Sequence, residues 1–217
     1  MPTRFKEQFT TVYLTLVSII QASVMGYIMT YLHDPPGQLT LWTSGRLLGS
    51  FLFVVGLWYA NTCGAIAFRW VPGLADAVIP FALGAFELLA VRSAGSLFWW
   101  CMCNAGFGLV AALAYVNQYR CAARNPENTP VLNRLTRRRR INPTFMAVCV
   151  VWYVALAILF RSSGLAEGIA TVCGLLPPIA FLVGSPSGHR AALGATSTSG
   201  KASEGRPAGG EGTKTDI

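Results

Sequence analysis

Two carboxylates and a proline stand in an otherwise apolar run. Asp76, Pro80 and Glu87 fall within "GLADAVIPFALGAFELLAV" at 73–91, a stretch greasy enough to sit in a lipid bilayer. Ionisable side chains inside a membrane span are costly, and they mark ion or proton pathways or the partners of other buried charges. The two acids are eleven residues apart. On a helix that spacing returns them to within about 20° of one face, roughly 16 Å apart along the axis. Pro80 has no N–H, so the carbonyl of Asp76 loses its helical partner. A carboxylate and a free carbonyl at one position could coordinate a cation or hold a proton. Asn61, Arg69 or a neighbouring helix could instead satisfy them, because in lipid every polar group must find a partner. Glu87 is expected about one turn from the outer end, in reach of Arg92 or Arg46. Pro177 and Pro178 repeat the theme, freeing the carbonyls of Cys173 and Gly174.

Other polar residues join this set. Thr11, Thr15, Ser18 and Gln21 recur at helical spacing on one face. Small polar residues of this kind often supply hydrogen bonds between helices; pore lining is the alternative. Asn61 follows Gly45, Gly49 and Gly56, and "GRLLG" permits close helix approach. Asn104, Gly106 and Gly108 read as packing residues. Asp76, Pro80, Asn61, Gln21 and Glu87 are therefore the expected lining of a substrate or ion pathway.

The familiar catalytic and cofactor chemistries lack their residues. The only histidines are His33 and His189, both outside the apolar runs, so no axial haem ligand is available. No apolar run contains a lysine for a Schiff base or a base for a serine nucleophile. There is no H-E-x-x-H and no C-x-x-C. The six cysteines read as apolar fillers. No cofactor and no metal is expected, and an enzyme is disfavoured.

The elements that carry these residues follow from composition. The chain has 217 residues, 53% hydrophobic and 12% charged, where a soluble domain carries about 25% charged. The charges concentrate near the N-terminus, at 120–140 and after 184. Between them lie six apolar runs, about 9–32, 47–68, 74–91, 97–119, 144–160 and 165–183. Each is long enough for a transmembrane helix. "NP" at 142–143 suits the start of the fifth. The expected fold is an all-α membrane protein, a six-transmembrane-helix bundle over 1–184, with a basic loop at 120–143. The tail at 185–217, rich in Gly, Ser, Ala, Thr and Pro, is expected to be disordered.

Fourteen of the Lys and Arg residues fall on one side of such a bundle and three on the other. The positive-inside rule then puts both termini and the basic loop in the cytoplasm, in a plasma or bacterial inner membrane. The net charge of +8 is explained by this topology and does not call for nucleic acid. Arg137, Arg138, Arg139 and Arg140 are expected to touch anionic lipid headgroups. A weak internal similarity relates "WYANTCGAIAFRWVPGLAD" to "WYVALAILFRSSGLAE", pairing Asp76 with Glu167. Two three-span units so related would be inverted repeats, a plan used by secondary transporters. The leading functional reading is a small transporter or channel for an ion, proton or small solute. The competing one is a non-transport subunit or scaffold that binds a membrane partner; a defined homo-oligomer favours the channel, and obligate recovery with another protein favours the subunit.

Overall fold

A computed structural model describes residues 3–68, 73–160 and 166–184, with backbone alone for 3–9 and 136–139. It is an all-α bundle: among the described residues there is no strand. The helices are α1 (Thr3–His33), α2 (Leu41–Ala67), α3 (Leu74–Arg92), α4 (Leu97–Ala123), the short α5 (Thr129–Arg134) and α6 (Thr136–Leu159), followed by α7 (Ala166–Gly184). All but α5 contain a segment long and apolar enough to cross a membrane, six in total. Large apolar side chains such as Ile19, Leu113, Val151, Ile158 and Val183 face outward. In water such a surface would drive aggregation; in a bilayer it is the lipid-facing surface. This is a multi-pass membrane protein.

The six long helices alternate in direction. The starts of α1 and α3 meet the ends of α2 and α4 around a cleft lined by Tyr13, Asn61, Asp76 and Asn117. At the opposite end, the start of α2 meets the start of α7 through Arg46 and Glu167. Among α1–α6, the most extensive packing is α4 on α6. The main core holds Phe53, Leu83, Trp100, Phe107 and Tyr153. A second core, Val24, Ile28, Leu47, Val54 and Val91, joins α1, α2 and α3.

Trp100 is the keystone of the α2–α4–α7 junction. Its side chain is fully buried, and its Nε1 donates to Ser50 Oγ at 3.1 Å. A Cβ on Gly174 would stand 2.7 Å from the indole, and one on Gly49 would stand 3.1 Å from it. Only glycine on α7 admits the ring at that distance, and the Gly45–Gly49–Gly56 stripe of α2 turns toward α7 along its length.

Some boundaries and environments differ from those expected. α2 begins at Leu41, ahead of Leu47, because Thr40 caps it by accepting from the Thr43 amide at 3.1 Å. α6 begins at Thr136, so Pro143 lies inside the helix and not at its start. The basic segment is folded, not an open loop. Asn125 caps a 3₁₀ turn, Pro126–Asn128, and Asn128 Nδ2 bonds the Ala122 carbonyl at 3.0 Å. Leu135 then packs against Phe68, Tyr119 and Ala122. Thr11, Thr15 and Ser18 point outward while Gln21 is buried; Thr15 spends its hydroxyl on the Thr11 carbonyl at 2.9 Å. Trp58, Trp152 and Tyr153 read from the sequence as rings packed between helices; Trp58 and Trp152 instead sit at the bundle surface, and of the three Tyr153 alone is interior. The tail at 185–217, Arg69 and the side chains of Arg137, Arg138 and Arg139 lie outside what is described; Arg140 is exposed.

Candidate functional site

The α3 stripe is built by the helix itself. Asp76 sits in its first turn, where its Oδ2 accepts from the Gly73 amide at 2.7 Å, an orientation the helix dipole favours. Its Oδ1 accepts from Asn117 Nδ2 of α4 at 3.1 Å. Asp76 is 4% exposed. Both oxygens therefore have neutral donors, and no cation among the described residues pairs with it. Around it, Tyr13, Asn61, Pro80, Tyr115 and Gln118 complete a small cleft of about 30 Å³. That is room for one or two waters. Tyr13 Oη donates to Asn61 Oδ1 at 3.0 Å across the α1–α2 contact.

About three turns further along α3, Glu87 is buried, 3% exposed. Its Oε2 accepts from Gln21 Nε2 of α1 at 3.0 Å. This overturns the expected placement at the outer interface. Arg46 is committed elsewhere, its Nη2 on Glu167 Oε1 at 2.6 Å, and Arg92 is exposed at the end of α3. Glu87 Oε1 and Gln21 Oε1 have no partner among the described residues. Both are acceptors, so what the pair lacks is a donor. A proton on Glu87 would turn one of the two orphaned oxygens into that donor.

Glu87 and Gln21 line neither the Asp76 cleft nor a second, larger cavity at the other end of the bundle. They lie in the packed layer between the Asp76 cleft and a vestibule at the other end, reached by α3 at Leu89, Arg92 and Ser93. Leu83, 2% exposed, fills the same layer. The structure thus brings Asp76, Pro80 and Asn61 to one cleft, and joins Gln21 to Glu87 in a separate layer.

Asn117, Gln118 and Tyr13 of the cleft were not singled out from sequence, although "NQ" at 117–118 is a polar pair in an apolar run. The Arg46–Glu167 pair was also missed. Its members are 121 residues apart, and no local pattern links them.

The six cysteines are free, and no group of His, Cys, Asp and Glu among the described residues could hold a metal. Compared with protein-family models, curated proteins and solved structures, the chain matches none.

Proposed function

We propose that the protein is a small proton-linked transporter or channel in which α3 carries the pathway. The observation that carries this reading is the pair of buried carboxylates on one stripe of α3, each bonded to an amide side chain of a facing helix, Asp76 to Asn117 and Glu87 to Gln21. Such groups are expensive in a membrane interior and are found where protons or ions move. Neither carboxylate is tied to an arginine among the described residues, as a merely structural ion pair would be.

In this reading the Asp76 cleft exchanges protons or ions with one side of the membrane, and the vestibule opens to the other. Glu87 holds a proton in the dry layer between them. Pro80 weakens α3 between the two acids, about one turn beyond Asp76, by removing one helical hydrogen bond, so a small bend there would change which side Glu87 faces. The basic end, with the Asp76 cleft, faces the cytoplasm on the positive-inside rule, and Arg137 to Arg140 meet anionic headgroups there.

A flux screen in proteoliposomes, across ions and imposed pH gradients, tests the reading. Saturable flux above empty vesicles, dependent on pH, supports it. Absence of flux for protons and for every ion and solute tried, with the protein folded and inserted, favours the scaffold reading.

A further inference from the structure

The vestibule opposite the Asp76 cleft has a volume of about 740 Å³, within the range of small-molecule sites. Its charged lining is Arg46, Arg92 and Glu167, a net excess of one positive charge. Two helix N-caps, Thr40 of α2 and Ser96 of α4, also line it, together with Glu167 of α7. Two helix N-termini therefore converge there, each contributing partial positive charge.

Arg46 supplies the independent sign of a ligand. Its side chain is 1% exposed. Its Nε donates to the Trp42 carbonyl at 3.2 Å and its Nη2 to Glu167 at 2.6 Å. Its Nη1 has no partner among the described residues. A buried guanidinium with an unused pair of N–H donors is costly unless something accepts from them. Glu167 is one-third exposed and neutralises only one of the two arginines. The unmet need is for an acceptor bearing negative charge.

We infer that the vestibule binds an oxyanion of the phosphate class, with Arg46 Nη1 and Arg92 as its donors. Arginine forks suit phosphate geometry. Trp42 and Trp99 also line the vestibule, and indole rings favour the headgroup level of a membrane. The phosphate could thus arrive as the free anion or on a lipid headgroup. The site does not depend on the α3 carboxylates carrying protons.

The test uses the full chain in nanodiscs of phosphatidylcholine, probed by calorimetry and thermal unfolding at constant ionic strength. The probes are inorganic phosphate and dihexanoyl phosphatidylglycerol, with chloride as control. Saturable binding and thermal stabilisation by either probe, and not by chloride, is the expected result. Response to phosphatidylglycerol alone assigns the site to a headgroup; response to inorganic phosphate assigns it to the free anion. Arg92→Gln, an exposed position, should weaken binding about tenfold, the effect of one hydrogen bond to a charged group. Arg46→Lys keeps a cation for Glu167 and removes the second donor arm; it too should lose about tenfold. No response of the wild type to either probe overturns the inference, as does wild-type affinity in Arg92→Gln with Arg46→Lys unchanged or unfolded.

Discussion

Tyr153 donates its hydroxyl to the Gly174 carbonyl at 2.7 Å, and that carbonyl is one that Pro178 leaves without a helical donor. The neighbouring Trp152 does the same for the other, its Nε1 reaching the Cys173 carbonyl at 3.1 Å, which Pro177 leaves free. One Trp-Tyr pair on α6 thus satisfies both carbonyls released by one Pro-Pro pair on α7. The prolines are tolerated in the bundle because a neighbouring helix supplies the missing donors.

Removing the Tyr153 hydroxyl should therefore cost stability. Tyr153→Phe is expected to destabilise by about 1–2 kcal/mol, the upper part of the range for hydrogen bonds between membrane helices. In Pro178→Ala the restored backbone N–H can serve Gly174 instead. The double variant should then lose less than the sum of the single changes, measured by unfolding in detergent. Strict additivity would show that the hydroxyl and the proline act independently.

Packing around Trp100 gives a second expectation. Gly174→Ala places a methyl 2.7 Å from the indole, and overpacking of this kind costs about 1–3 kcal/mol. Gly26→Ala, where nothing lies within 4 Å, should be neutral or slightly stabilising. The pair of melting temperatures distinguishes a specific clash from a general intolerance of alanine.

Topology is checked by reporter fusions. Fusions at Arg124 and Lys201 should report the cytoplasm and one at Asp34 the opposite side. Agreement of Asp34 with Arg124 would contradict the alternation of α1 to α4.

The Glu87–Gln21 pair makes a spectroscopic prediction. With a proton on Glu87, infrared spectra should contain a protonated-carboxyl band that vanishes in Glu87→Gln and shifts in Gln21→Leu. Glu87→Gln, a neutral near-isostere, should fold as well as the wild type. A protonated-carboxyl region unchanged by Glu87→Gln, with carboxylate bands lost instead, would mean that the residue is ionised.

Much of the architecture was legible in the sequence, since membrane spans declare themselves by length and lack of charge. Glycine spacing marked α2 as a helix that could be closely approached, without naming α7 as the partner that does so, and proline spacing gave the freed carbonyls of Cys173 and Gly174. The donors to those carbonyls were not legible, because Trp152 and Tyr153 are 21 residues from their partners and only the packing of α6 on α7 brings them there. Glu87 was misplaced for a related reason. Helical periodicity gives a residue its face and depth, but the burial of that face depends on α1, and Gln21 is 66 residues away. The residues aligned by the internal similarity have different partners: Trp58 bonds Ser18 where Trp152 bonds a carbonyl, and Asp76 meets Asn117 where Glu167 meets Arg46.

Proton flux through Glu87 tests the central claim most directly. Wild type, Glu87→Gln and Asp76→Asn are reconstituted in liposomes containing a pH-sensitive dye, with a pH gradient imposed and charge compensated by an ionophore. The account predicts dye response in proportion to wild-type protein, and its loss in both variants while each still inserts and folds. Full flux in folded Glu87→Gln would contradict the claim, and would leave the carboxylate on α3 as a packing partner for Gln21.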